Sequence, residues 1–250
     1  MRIGILIPCT SKDRDWLTMR ETYLFQYTLK TFLATSCPGH EYIFYIGYDK
    51  EDRVFSKTFE QNYLRIFEKV YPVHFQFVEL DEPPGYLTRM WNKLFQIAYD
   101  EECDYFFQCG DDILFKTRRW ITDSIEVLES HGDIGITGPD NKTRILTQAF
   151  VSRKHMEIFG KFFPESIINW GCDDWYNWVY EDYLYPLYGH VCMNEGGRPR
   201  YVINHDEFFD EDRTRSLREL RDQVFRIAIR DREKIEKYLN LSIENRKQHV

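Results

Sequence analysis

The chain has 250 residues and a formal net charge of −8, a size that fits one large α/β domain or a main domain with a terminal addition. The acidic balance argues against a chain whose task is gripping nucleic acid, which needs a basic surface. Hydrophobic residues at 43% supply a core and charged residues at 30% a solvated surface.

The aromatic content is 17%, with 17 Tyr and 6 Trp, and most of these rings are expected in the core. The six dispersed cysteines (Cys9, Cys37, Cys103, Cys109, Cys172 and Cys192) contain no close pair of the zinc-binding kind. Cys9, Cys103 and Cys109 lie in or beside predicted strands and read as small buried hydrophobes, which favours a reducing, cytoplasmic setting. Pro8, Ser11, Lys12 and Asp13 end the first apolar run too early for a secretory leader, and no run reaches membrane-spanning length.

Ile3–Ile7 reads as a first strand left through Pro8-Cys9-Thr10-Ser11, and Trp16–Ala34 carries apolar residues at helical spacing. Tyr42–Tyr48 and Phe55–Val70 repeat the strand and helix. Val73–Leu80 alternates as a third strand, Asp81–Gly85 is rich in breakers, and Tyr86–Tyr99 restores the helical period. Within Asp104–Phe115 an apolar run, read as a buried strand, ends abruptly in Gly110, Asp111 and Asp112. Four strand–helix alternations predict an α/β sandwich with a mostly parallel sheet.

Beyond Asp112 the pattern loosens. Trp120–Leu128 reads as helix, Asp133–Pro139 and Leu146–Val151 as short strands, and Ser152–Gly160 as a helix capped by Ser152 and Gly160. Trp170–Leu184 is aromatic-rich, with a helix beginning near Asp173. Arg198–His205 reads as a last strand and Asp206–Arg215 as a charged loop. Leu217–Leu241 is a helix whose apolar stripe is expected against the sheet, with a fraying tail.

The C-terminal edge of a parallel sheet is where open α/β folds bind ligands. Adjacent carboxylates there suit a hard divalent cation beside phosphate, although Gly and Asp are also ordinary turn residues. Asp173 and Asp174 are open to two readings in the same way, as reactive acids or as caps at a positive helix end.

The ordered set Pro8–Ser11, Asp49, Gly85–Asn92, Gly110–Asp112, Trp170–Asp174 and His205 resembles nucleotide-sugar-dependent glycosyltransferases of the GT-A fold, inverting type. The resemblance implies a three-layer α/β/α sandwich with a C-terminal helix. Residues 1–215 would form the catalytic domain, with 1–112 binding nucleotide and 113–215 binding acceptor, and 216–250 would pack on the same domain. It implies a Mn2+ or Mg2+ ion held by Asp112 and His205. Pro8, Thr10, Ser11, Asp49, Arg89, Asn92 and Asp111 would bind the nucleoside diphosphate sugar. Trp170 and Gly171 would meet the acceptor, with Asp174 as base and Asp173 beside it. Gly110 stands where the family has its first acid, which leaves the role of Asp111 open.

The implied reaction moves a monosaccharide, from UDP-sugars by preference, to a hydroxyl of a glycan or glycoside. Alternatives are a sugar nucleotidyltransferase, against which the absence of a Gly-rich basic triphosphate loop argues, and a saccharide-binding protein that stacks sugars on Trp170, Trp175 and Trp178. Donor, acceptor and oligomeric state are not specified by these motifs.

Overall fold

The computed structural model describes residues 1–83, 85–196 and 213–248. Strand β1 (Arg2–Cys9) is followed by a 3-10 turn (Met19–Glu21), a wide helical turn of π pitch (Leu24–Leu29) and helix α1 (Lys30–Thr35). Next come β2 (Glu41–Asp49), α2 (Thr58–Arg65) with a 3-10 extension (Ile66–Lys69), β3 (Val73–Leu80), α3 (Leu87–Asp100) and β4 (Tyr105–Gln108). The second half contains β5 (Ile113–Phe115), α4 (Trp120–Ser130), β6 (Ile136–Asp140), β7 (Ala149–Ser152) and α5 (Lys154–Phe159). It ends with α6 (Cys172–Val179), β8 (Leu184–Asn194) and α7 (Arg213–Gln248).

One eight-stranded sheet in the order β3-β2-β1-β4-β7-β6-β8-β5 joins the two halves. Its first four strands are mutually parallel, β7 is antiparallel to both its neighbours, and β5 is an antiparallel edge on β8. Strands buried on both faces need apolar residues at every position, and β1 shows why. Ile3, Ile5 and Ile7 enter one apolar layer with Phe32, Phe44, Phe107 and Trp120, whereas Leu6 enters the opposite layer with Leu94, Phe95 and Phe106. Truncating a core ring such as Phe107 to Ala would cost about 3–5 kcal/mol.

Asp104–Phe115 holds two strands rather than one, with Gly110-Asp111-Asp112 turning between them. The edge strand β5 is held from its open side by threonines: Ile113 N donates to Thr28 Oγ1 at 2.9 Å and Phe115 N to Thr31 Oγ1 at 3.0 Å. The π-pitch turn brings Thr28 and the first turn of α1 brings Thr31 to this edge, in keeping with the use of π-pitch turns near functional positions.

Several expectations are corrected. The segment Leu184–Asn194 was not read as a strand, yet β8 pairs with both β6 and β5. Ser152 is not the N-cap of α5, where Arg153 stands, although its hydroxyl accepts from Lys154 N at 3.1 Å. Gly160 ends that helix at φ +71° as expected. Helix α7 packs on α5 and α6 rather than on the sheet, and it continues to Gln248 where a frayed tail was expected. The strand expected at Arg198–His205 lies outside the described residues.

Candidate active site

Two hollows flank the C-terminal end of β1. The first, about 570 Å³, is lined by Thr10, Ser11, Arg14, Asp49, Asp52 and Arg53. Its floor is built by Asp52 in the turn after β2. The turn closes with Asp52 N donating to Asp49 O at 3.0 Å, and Glu51 takes φ +60° within it. The Asp52 carboxylate is buried and accepts from Ser11 N at 2.7 Å, Ser11 Oγ at 2.9 Å, and Val54 N and Phe55 N at 2.9 Å each. Asp49, expected to bind nucleotide, lines this hollow. Asp52, three residues on, is the carboxylate that fixes the Thr10–Ser11 loop, and the sequence reading passed over it.

The second hollow is a cleft of about 600 Å³ between the sheet edge and the start of α6. Pro8, Gly110, Trp170, Gly171, Asp173 and Asp174 all line it. Helix α3 turns Leu87 and Trp91, four residues apart on one face, toward this space. Arg89 and Asn92, expected to bind donor, occupy other positions of the same helix and are not brought to the cleft. Arg89 lies 3.9 Å from Glu82 and over the Tyr86 ring. Asn92 clamps the Phe163 backbone, donating to its carbonyl at 2.8 Å and accepting from its N–H at 2.7 Å.

At the cleft floor, Gln108 is 2% exposed and its Oε1 has no hydrogen-bond partner among the described residues. A buried acceptor left unmade is costly, so an orphan at a cleft wall marks a position suited to a ligand donor. The sequence offered only a polar residue at the end of an apolar strand as its signal.

The two acids after β4 separate sharply. Asp111 is fully buried and has no accessible surface for a ligand in the cleft, against the expected donor contact. Asp112 is held by the end of β8: Asn194 Nδ2 donates to Oδ1 at 3.3 Å, Gly196 N to Oδ2 at 3.1 Å, and Glu195 N to the Asp112 carbonyl at 2.9 Å. A Cβ on Gly196 would stand 2.2 Å from Asp112 Oδ2, so glycine is what lets the chain close over this carboxylate. Each Asp112 oxygen accepts one of these bonds and has a further lone pair, and carboxylate oxygen is the ligand type of Mg2+ and Mn2+. Among the described residues no three His, Cys, Asp or Glu side chains converge on a metal position. His205, the expected second ligand, lies outside the described residues.

Helix α6 carries the other acids. Gly171, at φ +82°, precedes its first residue, and Val224 of α7 lies 2.9 Å from where a Cβ would sit. Asp173 Oδ1 accepts from Tyr176 Oη at 3.2 Å and from Cys172 Sγ at 3.5 Å. Burial pushes the Asp173 carboxyl up to about 7; these two hydrogen bonds oppose the shift and the neighbouring Asp174 charge adds to it. Asp174 pairs with Arg144 at 3.1 Å. Behind them Trp175 Nε1 donates to the buried Asp231 of α7 at 3.2 Å, and Asp231 also meets Lys234 at 2.8 Å.

No protein-family model matches the chain, and no curated protein does. Among solved structures it is similar to S. aureus TarS, with a TM-score of 0.53 and 11% identity over 77% of this chain and 36% of that one. Residues 1–349 of S. aureus TarS in complex with UDP give 0.54 and 12% over 77% and 59%, and in complex with UDP-GlcNAc 0.54 and 12% over 92% and 72%. The chain thus spans about a third of the full TarS chain it matches. At this identity the likeness is one of fold, and together with the strand order it identifies the architecture as the GT-A-like α/β sandwich that the motifs predicted.

Proposed function

We propose that this chain is a nucleotide-sugar glycosyltransferase that takes a UDP-sugar as donor and a hydroxyl of a glycan or glycoside as acceptor. The observation that carries this reading is that Asp173 and Asp174 share one cleft with Gly110 and Asn194, the neighbours of Asp112. The Thr10–Ser11 hollow on the other side of Pro8 offers room for the nucleoside. The UDP and UDP-GlcNAc bound by TarS support the choice of donor class.

In this reading Asp174 takes the proton of the acceptor hydroxyl while its oxygen bonds to the anomeric carbon. The bond from that carbon to the diphosphate breaks, with the electron pair leaving on phosphate oxygen. A single displacement of this kind inverts the anomeric centre. Arg144 must release Asp174 as acceptor enters, and Gln108 Oε1 accepts a hydroxyl of the donor sugar. Asp112 would hold a Mn2+ or Mg2+ ion, and such an ion would offset charge growing on the leaving group.

A second reading makes Asp173 the base. Its carboxyl titrates at about 7, close to the working pH where general bases are most effective. Mass spectrometry of UDP- and GDP-sugars incubated with the protein, with and without Mn2+, tests the class. Release of UDP with loss of the sugar is the expected result. Failure of every donor to react, with no calorimetric binding of UDP, would overturn it. Retained turnover in Asp174→Asn with loss in Asp173→Asn would transfer the base to Asp173.

A further inference from the structure

Of the eleven exposed large apolar side chains among the described residues, four fall in one short stretch: Phe59, Ile66, Val70 and Tyr71. None lines the cleft. Phe59 is 81% and Val70 77% exposed, values a solitary surface residue can reach but that four neighbours rarely share. A spacing of seven puts Phe59 and Ile66 on one side of α2, and Val70 and Tyr71 follow directly after its 3-10 extension.

The charges on the same stretch are sorted by sign. Glu60 is buried and accepts from Met19 N at 2.6 Å, and the partly buried Glu68 accepts from Phe75 N at 2.8 Å. The exposed charged residues from Lys57 to Tyr71 are then Lys57, Arg65 and Lys69. Nearby, Arg20 lies over the Tyr63 ring and Lys30 over Phe25, at 4.8 and 5.1 Å. Exposed Glu21 is occupied by the Leu17 and Thr18 N–H groups.

A chain of net charge −8 therefore has a local face of apolar and cationic groups whose carboxylates are bonded to backbone. We propose that this face docks on an anionic lipid bilayer. Phe59, Ile66, Val70 and Tyr71 enter the headgroup boundary, and Lys57, Arg65 and Lys69 meet lipid phosphates. Among the described residues no helix is long and apolar enough to cross a membrane, so the association is peripheral. It does not depend on the transferase reading, because the test needs no substrate.

The test is flotation of the full chain with vesicles of phosphatidylcholine alone and of phosphatidylcholine mixed with phosphatidylglycerol. Binding to the mixed vesicles only, weakened by added salt, is expected. Phe59→Ser should lower the affinity roughly tenfold, and Lys57→Glu with Lys69→Glu should lower it at least as much without touching the apolar groups. Circular dichroism should match the parent for both variants. No flotation of the parent chain, or flotation untouched by both variants, would overturn the proposal. So would a dimer in solution that Phe59→Ser splits and that does not float, since a second copy would then cover the face.

Discussion

Arg144 holds Asp174, which lines the cleft, through an ion pair of 3.1 Å. The arginine is well exposed, so the pair contributes about 0–1 kcal/mol to stability, and Arg144→Ala should leave the unfolding midpoint nearly unchanged. Asp174→Asn should lower turnover by about 10²–10⁴-fold while calorimetry finds UDP affinity intact. An equal loss of UDP affinity would move Asp174 from proton transfer to donor binding.

Asp173 gives the site a pH signature. Its folded carboxyl stands at about 7 against an ordinary 3.8, so the folded state holds the extra proton. The stability it contributes is fully present below pH 3.8 and is lost as pH rises through about 7. Asp173→Asn, which keeps an oxygen for Tyr176, should therefore be more stable than the parent at pH 8 by roughly 1–3 kcal/mol, with the difference fading at pH 4. Buried His155, pushed down to about 4 by desolvation, has the opposite slope. Its contribution is present above pH 6.5 and lost toward pH 4, so denaturant titrations of the Asp173 and His155 variants separate the two.

Gly196→Ala tests the fold-over at Asp112. The added methyl meets Oδ2 at 2.2 Å and must displace the carboxylate or the chain end. The expected result is roughly a tenfold loss of UDP affinity in the presence of Mn2+, a change of about 1.4 kcal/mol, with little change without metal. Identical losses with and without Mn2+ would separate Asp112 from the ion.

Asp52 and Asp49 are separable by two readouts. Asp52→Ala leaves the Ser11, Val54 and Phe55 N–H groups unpaired and should cost about 1–3 kcal/mol of stability as well as nucleotide affinity. Asp49→Ala should reduce nucleotide affinity alone. Denaturation and calorimetry on both variants decide the division.

At Gln108 stability and binding should move in opposite directions. Gln108→Met keeps the length and removes the orphaned acceptor, so the unliganded protein should gain about 1 kcal/mol. Donor affinity or turnover should fall roughly tenfold, and unchanged kinetics would remove Gln108 from the donor site.

The first half of the fold was legible because β1, β2 and β4 are apolar at most positions, as a doubly covered sheet requires, while the edge strand β3 alternates. Strand β8 escaped notice because its residues are mostly half-exposed, with Pro186 and Gly189 inside it; its pairing to β6 and β5 is imposed by tertiary contacts. The GDD and WGCDD strings were legible as groups of acids; of the first only Gly110 lines the cleft, whereas all five residues of the second do. Which acid is enclosed was not legible, because backbone geometry decides it: Asp111 is buried while Asp112 is held by Asn194 and Gly196, and the turn with Glu51 at positive φ sends Asp52 inward. Arg89 and Asn92 were misplaced for a related reason, since a helix shows one face to a cleft and that face belongs to Leu87 and Trp91.

Helix α6 is eight residues long, too short to persist alone in water. Its footing comes from α7: Val224 occupies the volume beside Gly171, and Asp231 tethers Trp175. The two acids thus inherit their aim from a helix with no described residue in the cleft. Sequence drift along α7 is consequently felt as drift in reactivity, and residues remote from any substrate share in the selection acting on the chemistry.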